Sequence, residues 1–128
     1  MTTIVRLNPD TIAKPTGYSQ TVLIEQPARR LICAGQIGVA PDGTVPGTAE
    51  AQIAQAFANL RNALAAHGMT PANVVKVTAF LTTREWLAAY RAARSAFFPT
   101  EPPASTLLFV AGLADPAYHF EIEAEAIG

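Results

Sequence analysis

The stretch FEIEAEAIG, residues 120–128, sets Glu121, Glu123 and Glu125 at alternate positions, with Phe120, Ile122, Ala124 and Ala126 between them. Successive strand side chains point to opposite faces, so an extended chain here carries three carboxylates in one row, about 6.8 Å apart. Like charges in a row repel. Each carboxylate must therefore meet a base on a neighbouring strand, reach solvent, or work by accepting a proton or stabilising a cation. Other chemically able side chains are few. Cys33 is the only cysteine and follows Leu31 and Ile32 in an apolar stretch, which reads as a core residue rather than a nucleophile. His67 falls at a helix end, where it complements the dipole, and His119 points away from the Glu121 row. Two histidines and one cysteine make no metal-ligand spacing, so no metal is expected.

Holding such a row in place takes a sheet, and the rest of the chain supplies one. TIVRLN alternates like a short strand and stops at the turn signal NPD; GYSQTVLIE and RRLICAGQIGVA read as second and third strands, and APDGTVPG as a turn. A long helix follows from about Thr48 to His67, with Ile53, Phe57, Leu60 and Leu64 on one stripe and Thr48 as its cap. NVVKVTAFLTT is a β-branched strand with Val75, Val77, Ala79 and Leu81 on one face. Thr82 and Glu85 have capping-box spacing, which starts a second helix there and runs it to about Phe98, before Pro99. STLLFVAGL is a short strand ahead of the acidic one. The pattern predicts one α+β domain, 1–128, with two helices on one face of a single mixed sheet.

At 128 residues the chain can bury a sizeable core. Nine basic and ten acidic residues leave a formal charge of −1, so no nucleic-acid or anionic-membrane footprint is expected. Half of the residues are hydrophobic and 15% are charged, a lean surface that suits association with copies of itself. The opening MTTIVRLNPD has no signal-peptide core, no apolar run is long enough to cross a bilayer, and a lone thiol suits a reducing compartment, so a cytoplasmic location is expected.

GYSQTV (17–22), CAGQIGVAPDGTVPG (33–47), VVKVTAFLT (74–82) and PPAS…FEIEA (102–124) together resemble the RidA/YjgF family, in the same order and at fitting intervals over nearly the whole chain. The resemblance implies a chorismate-mutase-like fold, a homotrimer with clefts between subunits, and cofactor-free hydrolysis of small imines or enamines such as 2-aminoacrylate to the 2-oxo acid and ammonia. It implies a catalytic role for Glu121, orienting the attacking water, and for Tyr18, whose hydroxyl faces the ligand; packing at a strand start is the other reading of Tyr18. It also makes Gly35 a ligand-approach glycine, or a strand bulge. Where the deaminating branch carries an arginine after Pro-Ala to grip the substrate carboxylate, this chain has Ser105, and a hydroxyl offers neither the charge nor the planar fork. Arg91, where relatives often carry asparagine, is a candidate to return that charge, a solvated arginine on the helix being the other and favoured reading. Weak activity on 2-imino acids and better activity on uncharged imines and carbonyls follow as expectations. The alternatives are a non-catalytic small-ligand-binding or regulatory protein and, on weaker grounds, an endoribonuclease.

Overall fold

A computed structural model describes residues 2–128. Its strands are β1 (Thr3–Leu7), β2 (Thr21–Glu25), β3 (Arg30–Ile37), β4 (Val74–Leu81), β5 (Ala104–Phe109) and β6 (Phe120–Ile127), and its helices are α1 (Ala49–Ala65) and α2 (Leu87–Phe97). The four-stranded sheet has the order β3-β6-β4-β5, with β6 antiparallel to both neighbours and β4 parallel to β5. A parallel pair needs a crossover, and α2 is that crossover.

The alternation in β6 sorts its residues as expected. Phe120, Ile122, Ala124 and Ala126 are buried, and with Val77, Ala79 and Leu81 of β4 they form the floor of the core. The α1 stripe of Ile53, Phe57, Leu60 and Leu64 lies on that floor together with Tyr90 and Phe97 of α2, so both helices cover one face. Phe57 stacks on Phe120 with ring centroids 5.8 Å apart, and Tyr90 lies 5.5 Å from Phe120. Each such side chain contributes about 1.5–3 kcal/mol by leaving water. Thr48 caps α1, its side chain accepting from the Ala51 N–H at 3.2 Å.

Three expectations need correction. The sheet is not single: β1 and β2 form their own antiparallel pair, joined to the larger sheet by one parallel bridge, Ser19 to Ala104. The second strand starts at Thr21 rather than Gly17 because the residues before it spend their hydrogen bonds elsewhere. Ser19 N–H donates to Pro103 O at 2.9 Å, the Ser19 hydroxyl to Pro102 O, and Gln20 N–H to the Asn8 side chain. The second helix is capped by Thr83, not Thr82, and opens with a 3₁₀ turn at Arg84–Trp86. Thr82 still belongs to the sheet end, its N–H reaching His119 O, whereas the extended Thr83 accepts from Glu85 N–H.

Candidate functional site

On the face away from the helices, the three glutamates of β6 have three different fates. Register places Glu125 opposite Lys76 and Ile32, Glu123 opposite Thr78, and Glu121 opposite Phe80 and Ile37. Glu125 pairs with Arg30 Nε across β3 at 2.5 Å, which raises the arginine pKa further. Lys76, directly opposite Glu125 on β4, instead donates to Val77 O at 2.9 Å and to the hydroxyls of Thr106 and Thr78. Burial pulls the Lys76 ammonium pKa down, partly offset by the nearby Glu123 carboxylate. Glu123 is exposed.

Glu121 is half-buried, and among the described residues its side chain has no hydrogen-bond or ion-pair partner. Its carboxylate lies over Gly35. The β3–β6 register shifts between Cys33 and Gln36, so Ala34 and Gly35 together span the single residue Glu123. That is a bulge, and it opens the ladder beside the carboxylate. A Cβ on Gly35 would overlap Glu121 Oε1 and stand 2.8 Å from its Cδ. The two residues line a shallow concavity of about 370 Å³ with Phe80, Val110, Gly112 and Leu113. A carboxylate partly withdrawn from water and left without a cation is suited to hold a water or meet a positively charged ligand atom.

Ser105 lies on the other side of the sheet. Its parallel partner is Val77, a fully buried residue beneath the helices, so Ser105 and the acidic row face opposite ways. Ser105 is half-buried beside the Tyr90 hydroxyl, whose pKa is raised by burial and drawn back by Ser105 and Arg94. Tyr18, half-buried, sits in the segment bridged to Ala104, between Gly17 and Ser19. Arg91 is exposed on α2 and is brought to neither group of residues. Glu121 and Gly35 thus lie together on one face of the four-stranded sheet, and Ser105 lies on the other.

Sequence reasoning missed Arg94. It is 9% exposed, with its guanidinium 5.6 Å above the Tyr90 ring and Nη2 donating to Thr16 O at 3.2 Å. The signal was available: Tyr90, Arg94 and Phe97 follow 4, 3 spacing, which sets a cation in the buried stripe of an amphipathic helix. Cys33 is a buried free thiol whose pKa burial raises, and the His119 ring packs 4.5 Å from that of Trp86. Among the described residues no group of three or more His, Cys, Asp or Glu side chains could hold a metal, and no helix is long and apolar enough to cross a membrane.

The family profile described as endoribonuclease L-PSP matches residues 9–128. A protein of the conserved Rid family from Yersinia pestis, YyfB, is 33% identical, with 97% of this chain and 98% of that chain covered at a TM-score of 0.89. RidA from the Antarctic bacterium Psychrobacter sp. is 27% identical over 90% of this chain and 91% of that one, at a TM-score of 0.73. Yeast Mmf1 is 28% identical over 98% of each chain, at 0.72. Comparison with curated proteins gave no match.

Proposed function

Because the chain belongs to the RidA/YjgF family, the endoribonuclease L-PSP family of the matching profile, we propose that it hydrolyses small imines or enamines in clefts between subunits of a homotrimer, by addition of water and without a cofactor. The observation that carries this reading is the half-buried, unpartnered Glu121 carboxylate over the Gly35 bulge. In the proposed reaction Glu121 accepts a proton from a water whose oxygen bonds to the C=N carbon. The imine nitrogen gains a proton as the carbinolamine forms and a second before the C–N bond breaks; the bonding pair leaves on nitrogen while the hydroxyl gives up its proton to Glu121 or water, and the products are the carbonyl compound and ammonia. An enamine enters the same path after protonation at carbon. Tyr18 and Ser105 would hold the ligand from a neighbouring subunit, an arrangement supported by the place of Ser105 on the face opposite Glu121.

Ammonia release from a panel of amine-derived imines, charged and uncharged, tests the activity. Release no faster than the spontaneous rate across the panel would overturn it. Saturable binding without turnover would instead favour the non-catalytic reading, which the serine at position 105 supports. The family description keeps endoribonuclease activity in view, but a net charge of −1 leaves an RNA backbone few cations to meet.

Association is supported by apolar side chains left on the surface. Val5 and Leu23 are register partners on the outward side of the β1–β2 pair, with Leu7 beside them at 59% exposed, and Ile32 and Leu108 flank the acidic face at 62% and 46%. Apolar surface gathered this way marks an interface. Light scattering is expected to give three times 13.5 kDa, and a monomer at micromolar concentration would remove both the trimer and the shared cleft.

A further inference from the structure

The helix side of the molecule carries a second concavity that the proposed reaction does not use. Its volume is about 260 Å³, and it shares no lining residue with the Glu121 concavity. Two aromatic residues and two prolines build its floor. Phe97 closes α2 and Phe98 follows it; both are buried, and their rings meet edge to face with centroids 4.9 Å apart. Pro99 comes directly after and cannot continue the helix, while Pro71 opens the 3₁₀ turn ahead of β4, so stiff backbone frames the floor on two sides. Two exposed side chains of opposite charge stand at the rim, Arg61 from α1 and Glu101 from the segment after α2. The Arg61 guanidinium lies 4.8 Å above the Phe97 ring, and among the described residues it makes no ion pair or side-chain hydrogen bond. Glu101 is 64% exposed and stands 3.6 Å from Arg6 Nη1, too far for a good hydrogen bond, so its carboxylate keeps capacity to accept.

We infer that this concavity binds a free apolar α-amino acid, with its carboxylate on Arg61, its ammonium on Glu101 and its side chain against Phe97 and Phe98. An apolar floor with a few convergent polar groups is the usual make-up of a small-molecule site. The two rim charges set the ligand class. A simple carboxylate would meet Arg61 but face the like charge of Glu101, and a simple amine would face Arg61; a zwitterion satisfies both. The size agrees, since the cavity falls just below the range of about 300–1,000 Å³ that takes drug-sized ligands. Stacking on Phe97 also restrains the guanidinium before the ligand arrives, which lowers the entropy lost on binding. The site stands apart from the imine reading, because none of its residues belongs to the proposed chemistry.

The probes are L-phenylalanine, N-acetyl-L-phenylalanine, which lacks the ammonium, and L-phenylalaninamide, which lacks the carboxylate. Each is titrated into the ¹⁵N-labelled whole protein, and the backbone amide signals of Phe98, Thr100 and Glu101 are followed. L-phenylalanine is expected to shift them saturably and to bind about 5-fold more tightly than either analogue, the upper worth of a solvent-facing ion pair. Arg61→Gln should erase the preference over the amide and keep that over the N-acetyl compound, and Glu101→Gln should do the reverse. Both side chains are exposed, so both variants keep the fold. Glu121→Gln should bind L-phenylalanine as the natural protein does. Unmoved signals, equal affinity for the three probes, or preferences that survive in both rim variants would each overturn the assignment. Shifts confined to Gly35 and Glu121 would do so too, by placing the amino acid in the other concavity. Ammonia release from imines does not enter the result, so this inference and the hydrolase reading stand or fall separately.

Discussion

Glu121→Gln is expected to lower imine turnover by about 10²–10⁴-fold, the usual worth of a positioned general base. Glutamine keeps the length and one acceptor oxygen but cannot take a proton from water. The fold should hardly notice. Glu121 makes no hydrogen bond or ion pair among the described residues, and the amide can occupy the same space over Gly35. Glu125→Gln is the matched control; its carboxylate is tied to Arg30 at an exposed site, where losing the pair costs little. The check is semicarbazide-trapped imine remaining during amino-acid oxidase turnover, with both variants beside the natural protein. If Glu121→Gln keeps near-full activity while Glu125→Gln behaves alike, the acidic row is structural and the proposed base is wrong.

The largest stability effect is expected at Gln52. This α1 residue is 2% exposed and uses both ends of its amide. Nε2 donates to Pro46 O at 3.1 Å and to Ala117 O at 2.9 Å, while Oε1 accepts from His119 N–H at 2.9 Å. One side chain thereby fastens the entry to α1 and the lead into β6. Gln52→Leu fits the volume but strands two carbonyls and an N–H, a loss of about 2–4 kcal/mol. For a domain of this size that is a fall of about 10 °C in melting temperature. Turnover should also suffer, because residues 117–119 deliver the chain to Glu121. Gln55→Ala, which removes a bond confined to Asn59 within the same helix, is expected to cost far less. Circular dichroism melts settle it; a Gln52→Leu midpoint within about 2 °C of the natural one would show that water satisfies the three groups.

What the chain revealed as a string follows from which forces are periodic. The period-two row in β6 and the 4, 3, 4 stripe in α1 were legible because burial repeats with the backbone geometry, and both faces came out as read. Thr82 and Thr83 could not be told apart, since the deciding bond runs from Thr82 N–H to His119 O, thirty-seven residues away. The partner of Glu125 was equally hidden: Lys76 stands directly opposite, yet Arg30 on the other flanking strand takes the carboxylate while Lys76 turns to Thr106. Gly35 showed itself as a motif glycine, but only the two-against-one register with Glu123 explains the opening beside Glu121. Arg94 was legible only through its spacing, since the stripe through Tyr90 and Phe97 turns it inwards.

The strand order β3-β6-β4-β5 also bears on how the chain comes to be folded. β6 follows every other described strand in sequence, yet it fills the slot between β3 and β4. During synthesis β3, α1, β4, α2 and β5 all emerge before it. Until it arrives, the inner edges of β3 and β4 present unpaired N–H and C=O groups, and the apolar undersides of both helices lack Phe120 and Ile122. Such a nascent chain is sticky: open edges recruit other strands, and long-range pairings form slowly. Insertion of β6 closes both ladders at once. The strand that carries the proposed base is therefore also the keystone of the sheet, and neither ladder closes until residues 120–127 have left the ribosome.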